Sequence, residues 1–229
     1  MLGSKFQKKI GKLVGSAPPE SGDTRVATWA GCKLLYVRNP KCANTSIINS
    51  IEGVQKSRMN CADIRNINGE WIAFSFVRNP WARLVSTYRS KASAESDPRT
   101  MINGVYQGFL DAGVPIDRNV TFEKFCEIVC DIPDNKTDKH LRSQSGVLLR
   151  NGVPIVSYLG KVEKMEGDWN QLMELAGLNV RILHLNETRH SHYSSYFTDR
   201  YLINLVADRY ADDIKYFDYD FEKDNLLYR

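Results

Sequence analysis

Twice before residue 90 the chain passes from a short apolar run through a polar loop into a segment with helical spacing, and this pattern narrows the fold most. Lys33–Val37 (KLLYV), bounded by Gly31 and Pro40, reads as a buried strand. The loop RNPKCAN follows, and then Ile47, Ile48, Ile51 and Val54 recur at helical spacing. Asn44, Thr45 and Ser46 are residue types that open helices. Trp71–Val77 (WIAFSFV) repeats the strand, Asn79 can cap, and Pro80 stands at a first helical position, where a missing N–H costs nothing. Leu84, Val85 and Tyr88 continue as a helical stripe. Strands alternating with helices predict an α/β fold, with a central parallel β-sheet flanked by helices.

Beyond this pair the pattern is looser. Residues 92 to 120 are rich in Ser, Asp, Pro, Gly and Asn and have no period, which suits a long excursion over a substrate site. Thr121 caps a helix with Phe122, Phe125, Cys126 and Val129 on one face. Val153–Lys161 is expected as a strand, Glu166–Ala176 as a helix closed by Gly177, and Val180–Leu185 (VRILHL) as another strand. Thr198 opens a long amphipathic helix that buries Tyr201, Leu202, Leu205, Val206, Tyr210, Ile214 and Phe217. No repeat or low-complexity tract divides the chain, so residues 31–229 are expected to form a single domain behind a flexible basic tail, 1–30. Within that tail KFQKKIGKLV is read as a frayed, solvated segment in preference to a short amphipathic contact with a membrane or partner.

Composition mainly excludes. With 42% hydrophobic and 25% charged residues among 229, the chain can bury a full core. A net charge of +4 is too weak to argue for nucleic acid, yet it suits a local pocket for an anion. No apolar run nears the roughly 20 residues of a membrane span. The five cysteines form neither a CxxC pair nor a Cys/His set at zinc spacing, which favours reduced thiols in a bacterial-type cytoplasm.

The polar loops carry the chemistry. Loop one, Arg38–Ser46, sits between strand and helix, where backbone N–H groups converge on an anion. Ala43 and Ser46 are small, Thr45 and Ser46 offer hydroxyls, and Lys41 brings a mobile positive charge. Its lysine precedes the small residues, so the loop is not the GxxxxGK[ST] of ordinary ATP and GTP sites. Loop two, Phe76–Ser86, places Arg78 at a strand end and Ser86 eight residues on, a pair able to grip a second phosphate. Arg83 is read as a structural ion pair ahead of a ligand contact.

Together "VRNPKCANTS" and "FSFVRNPWARLVSTYRSK" resemble the two cofactor signatures of the Golgi-type carbohydrate sulfotransferases (sulfotransferase family 2) and their bacterial relatives. The segments "TFEKFCEIV", "DKHLRSQ", "YLGKVEKMEGDWNQLMELAGL" and "RHSHYSSYFTDRYLINLVADRYADDIKYFDYDF" continue the likeness in the same order, over about residues 33 to 221. The resemblance implies a P-loop-like three-layer sandwich and 3′-phosphoadenosine 5′-phosphosulfate as sulfate donor. Lys41, Cys42, Ala43, Asn44, Thr45 and Ser46 would bind its 5′ side, and Arg78 and Ser86 its 3′-phosphate. It also implies a hydroxyl acceptor, carbohydrate in class, no metal ion and, as the alternative location, the Golgi lumen for a chain trimmed from a membrane-anchored enzyme. Loop one departs from the family in opening on Arg38-Asn39.

Transfer needs a base for the acceptor proton. His140 is expected in that role, with Lys41 as its catalytic partner at the leaving oxygen and Glu163 and Glu52 as rivals for the base. His184 is expected in the core, and His190 and His192 in a polar segment that either covers the cofactor or is solvated. Two other readings stay open at this point, a P-loop nucleotide kinase and a non-catalytic module binding a nucleotide or glycan.

Overall fold

The fold is given by a computed structural model, which describes residues 24–67, 69–114, 116–185 and 192–226. It opens with strands β1 (Thr24–Trp29) and β2 (Leu34–Val37), joined by a 3₁₀ turn, and continues into helix α1 (Asn44–Ser50). Strand β3 (Gln55–Met59), helix α2 (Cys61–Asn66) and strand β4 (Ile72–Val77) lead to helix α3 (Pro80–Lys91). A small hairpin, β5 (Met101–Ile102) and β6 (Val105–Tyr106), precedes helices α4 (Gln107–Asp111), α5 (Phe122–Cys130) and α6 (Gln144–Leu148). A second hairpin, β7 (Leu149–Arg150) and β8 (Val153–Pro154), is followed by strand β9 (Tyr158–Lys161) and helix α7 (Met165–Leu175). Helices α8 (Arg200–Arg209), α9 (Ala211–Phe217) and α10 (Phe221–Leu226) complete it. Among the described residues no helix is long and apolar enough to cross a membrane.

By their contacts the residues form two compact units. One holds the chain up to Asn39, Ala43–Phe76 and Leu148–Asn186; the other holds Pro40–Cys42, Val77–Val147 and the chain from Glu187. The first is built on a five-stranded sheet ordered β3-β1-β2-β4-β9. Its core is an aromatic row: Tyr36 and Trp29 stack on Phe74 at 5.1 and 6.3 Å, and Phe76 meets Phe74 edge-on and Trp169 at a tilt. Such rings bury large apolar areas, and both indoles find acceptors, Trp29 on the Ile51 carbonyl and Trp169 on that of Val180. The second unit gathers Tyr88, Phe122, Phe125, Tyr196, Phe197 and Phe221 into a separate aromatic cluster with centroids 5.2 to 5.4 Å apart between successive neighbours.

The sheet is mixed, a correction to the all-parallel expectation. β2 and β4 are parallel, Leu34 opposite Ile72 and Tyr36 opposite Phe74, because α1, β3 and α2 form the crossover that parallel pairing requires. β1 pairs antiparallel with both β2 and β3. The link from β1 to β2 is one 3₁₀ turn ending at Lys33 in the left-handed region, far too short for a crossover. Residues 24–30 are therefore not tail. Val26 and Ala27 are wholly buried in β1, while residues 1–23, KFQKKIGKLV included, lie outside the described residues. The basic strand β3 (QKSRM) passed unnoticed because it lies at the sheet's edge, where Lys and Arg are favoured against further pairing.

Other expectations changed too. Val180–Leu185 forms no strand: Leu183 and Leu185 donate their N–H groups to the Ser50 and Ser46 hydroxyls of α1 instead of to a neighbouring strand. The long last helix breaks at Tyr210 into α8 and α9, and Asp199, not Thr198, caps it through the Leu202 N–H. The stretch 92 to 120 contains the β5–β6 hairpin and α4. The caps at Asn79 and Thr121 are as expected, accepting from the Ala82 and Lys124 N–H groups.

One position in the sheet leaves no room. A Cβ on Gly160 of β9 would overlap the Phe76 ring, and Phe76 cannot retreat because it packs against Phe74 and Trp169. Gly160→Ala is expected to cost about 1–3 kcal/mol of stability by overpacking. Chemical denaturation of the variant checks this; an unchanged midpoint would show that the ring has space.

Candidate functional site

β2 and β4, being parallel, end at the same sheet edge, and each ends in the tetrapeptide Val-Arg-Asn-Pro, at 37–40 and 77–80. Both asparagines are wholly buried. Asn39 donates to the Phe76 carbonyl at 3.0 Å, while Asn79 caps α3 and donates to Asp224 at 2.9 Å. Loop one crosses from one compact unit to the other and back, so its two limbs are described in turn.

The limb in the sheet unit begins at Ala43, a non-glycine residue at φ 55°, whose carbonyl closes the first turn of α1 on the Ile47 N–H. The N–H groups of Asn44, Thr45 and Ser46 belong to that first turn, where a helix supplies them no partner of its own. Side chains here are mostly committed. Asn44 accepts from the Tyr36 hydroxyl at 2.6 Å and donates to the Asn39 carbonyl at 2.9 Å. The buried Ser46 hydroxyl donates to the Leu185 carbonyl and accepts its N–H, both at 3.2 Å. Thr45 alone of the three is exposed. Asn44 and Ser46 thus hold the loop's shape, and what they present outward is backbone.

The other limb is Pro40-Lys41-Cys42. Lys41 also lies in the left-handed region, at φ 67°, a conformation that costs of order 1–3 kcal/mol in a non-glycine residue and concentrates at functional sites. Its ammonium donates to the Ser90 hydroxyl at 2.7 Å, near the end of α3. Burial, then Arg78, Lys91 and Arg83, bring its pKa down to about 7. Arg78 reaches the Lys41 carbonyl through Nη1 at 3.4 Å. Arg83, 2% exposed, donates from Nε to the Pro40 carbonyl at 3.0 Å and from Nη1 to that of Arg142 at 2.8 Å, and its Nη2 is buried without a partner. Arg83 thus ties the loop through carbonyls and not through the expected ion pair. Among the described residues none of Lys41, Arg78, Arg83 and Lys91 has a carboxylate counter-ion within ion-pair distance. Four cations without an ion-paired carboxylate make an electropositive cluster, offset only at Lys91 by the more distant Asp138 and Asp97. Ser86 is half-buried on α3, one helical turn before Ser90 and so beside it on the same face.

His140 lies in the same unit. Its Nδ1 is 2.6 Å from Asp138 Oδ1, which also accepts the His140 backbone N–H, and its carbonyl accepts from the Thr87 hydroxyl of α3. Burial favours a neutral imidazole and outweighs Asp138; Lys139 and Lys91 act in the same direction as burial. Burial raises Asp138, but the hydrogen bonds from the His140 ring and backbone N–H, with the Lys139 charge, prevail and hold its pKa below the usual carboxylate range. We assign an ionised Asp138 and a neutral His140 protonated on Nδ1, which leaves the lone pair on Nε2. The Tyr106 ring of β6 stands edge-on 5.7 Å from the imidazole, and the Lys91 ammonium lies 4.0 Å above the same ring.

The remaining candidates have other surroundings. His184 is not a core histidine: its side chain is 42% exposed beside Glu166. His190 lies outside the described residues, and His192 caps a 3₁₀ turn, Nδ1 accepting the Ser194 N–H. Glu52 is exposed and Glu163 half-buried, both in the sheet unit. Four residues of the site escaped the sequence reading: Ser90, Lys91, Asp138 and Gln144. Asp138 had a usable signal, an aspartate two residues before a histidine. The rest are polar residues whose neighbours only folding reveals. Among the described residues no three His, Cys, Asp or Glu side chains gather as a metal site.

Comparison with known proteins adds one finding. A family model described as the sulfotransferase family matches residues 28–220, most of the chain. No curated protein and no solved structure matches.

Proposed function

The chain belongs to the sulfotransferase family, and from this we propose that it carries a sulfuryl group from 3′-phosphoadenosine 5′-phosphosulfate to a hydroxyl of a carbohydrate. The observation that carries the reading is Lys41, half-buried and hydrogen-bonded to Ser90, in the company of Arg78, Arg83 and Lys91, none of them ion-paired to a carboxylate among the described residues. That set fits a polyanionic donor. The P-loop-like character we assign rests on the parallel β2–β4 pair and the loop after β2.

The donor supplies an activated sulfuryl group: its sulfur–oxygen bond to the 5′-phosphate breaks as a new one forms to the acceptor oxygen. Lys41 would meet the charge gathering on the phosphate oxygen left behind, already desolvated and so acting at full strength. Backbone N–H groups of Cys42 to Ser46 would orient the 5′ side, since the Asn44 and Ser46 side chains are already committed. Arg78 and Ser86 would hold the 3′-phosphate. His140, oriented by Asp138, would take the acceptor's proton on Nε2. We place the sugar beside Tyr106, within the 92 to 120 stretch expected to build the acceptor surface. Five free thiols support a reducing compartment.

Binding tests this reading directly. Adenosine 3′,5′-bisphosphate at 100 times its dissociation constant is expected to stabilise the fold by about 2.7 kcal/mol, measured as a thermal shift. A shift with magnesium ATP and none with the bisphosphate would sink the proposal. Arg78→Ala is expected to weaken the bisphosphate far more than adenosine 5′-phosphosulfate, and equal losses by calorimetry would remove Arg78 from the 3′-phosphate.

A further inference from the structure

We infer that Gln144 is a positioning residue for this reaction, its side-chain amide locking the turn that carries Arg78 to the Lys41–Cys42 limb of the donor loop. The inference rests on the donor reading of Lys41 and Arg78 given above.

Gln144 is wholly buried at the start of α6. Its Oε1 accepts the Arg78 backbone N–H at 2.9 Å and the Cys42 thiol at 3.2 Å, and its Nε2 donates to the Arg78 carbonyl at 2.7 Å. One planar amide therefore satisfies both backbone groups of Arg78 and touches the residue next to Lys41. Only a primary amide accepts and donates in this way, and asparagine is one methylene shorter. The direct link from Arg78 to the Lys41 carbonyl is 3.4 Å long and much the weaker tie.

The backbone around the glutamine is itself held by two carboxylates. The wholly buried Asp213 accepts the Gln144 and Ser145 N–H groups at 2.9 and 2.7 Å. Asp134 accepts the Ser143 N–H and hydroxyl and is paired with Arg209 at 2.6 Å. Negative groups at a helix start are favourable, but burying Asp213 completely for a five-residue helix is costly in desolvation. What the arrangement achieves is a fixed backbone at Ser143–Ser145, from which the Gln144 side chain reaches Arg78. Where Arg78 stands then fixes the field at Lys41, together with Arg83 and Lys91 of α3 and Cys42 beside it.

Two variants of the full chain test this. Gln144→Met keeps the bulk and removes all three hydrogen bonds. Gln144→Asn keeps the amide but withdraws it by one methylene from Arg78 and Cys42. Because Asp213 holds backbone and not the side chain, both keep their anchor. Adenosine 3′,5′-bisphosphate affinity is followed across the neutral to alkaline range, with circular dichroism confirming the fold, and turnover is read with an acceptor.

A methionine variant that remains folded is expected to lose about 100-fold in kcat/KM. The pH at which its bisphosphate affinity begins to fall should move upward, because Arg78 no longer presses on Lys41. The asparagine variant should fall between methionine and wild type; should the methionine variant unfold, the asparagine variant decides alone by the same pH shift. Wild-type affinity and an unmoved pH midpoint, with only a lower melting temperature, would overturn the role and make Gln144 ordinary core. Wild-type protein that ignores the bisphosphate overturns the donor reading and this inference with it. Wild type that binds while both variants match it overturns Gln144 alone.

Discussion

Lys41→Ala is expected to lower kcat by about 10²–10³-fold, the usual loss when one preorganised donor to developing negative charge is removed. The sign of its pH dependence follows from its surroundings. Burial and the nearby cations hold the lysine at about 7, well below an unfolded lysine, so above neutrality the empty site holds it increasingly uncharged. An arriving polyanion favours the ammonium and draws the pKa back up. Binding therefore takes up a proton above pH 7, and bisphosphate affinity should fall by about tenfold per pH unit there. The same linkage gives the empty fold stability that grows from pH 7 toward the ordinary lysine range, since only the unfolded chain is then protonated at this site. Calorimetry in buffers of differing ionisation enthalpy measures the proton uptake. Lys41→Ala should bind weakly with a flat profile across the same range. A wild-type profile already flat through pH 7 to 9 would contradict the gathering of Arg78, Arg83 and Lys91 around Lys41.

His140→Ala carries the second large effect: turnover should drop about 10²–10⁴-fold while bisphosphate affinity stays within about twofold of wild type. Asp138→Asn should lose a comparable factor although the imidazole is intact. An amide can donate to Nδ1, which would move the ring proton to Nε2 and remove the lone pair facing the acceptor. That outcome separates a base held in one tautomer from a histidine that merely packs against Tyr106. Normal turnover by His140→Ala would send the assignment to Glu163.

Much of the frame was legible because it depends on neighbours in sequence. Apolar runs at 34–37 and 72–77 announced β2 and β4, and Asn79-Pro80 and Thr121 announced the starts of α3 and α5, since caps and periodicity act over a few residues. The failures share one cause. VRILHL has strand composition, yet strand formation needs a partner edge, and the hydroxyls of Ser46 and Ser50 take its N–H groups instead. β3 is polar enough to pass for a loop and is a strand only because β1 lies beside it. His184 sits among apolar residues in sequence and faces water in the fold.

The same division runs through the site. By itself the sequence determined the family and the two strand–loop–helix units, and it named the residues we propose for the donor, because motif spacing is a property of the chain. Tertiary structure alone decided what those residues are free to do. It committed the Asn44 and Ser46 side chains to shaping the loop, desolvated Lys41 among three cations, and joined Asp138 to His140. It also brought Gln144, 66 residues beyond Arg78 in the chain, onto that arginine's backbone. Each of these depends on burial or on a partner distant in sequence. Such terms arise only when the strands have set their order and the helices have closed over them.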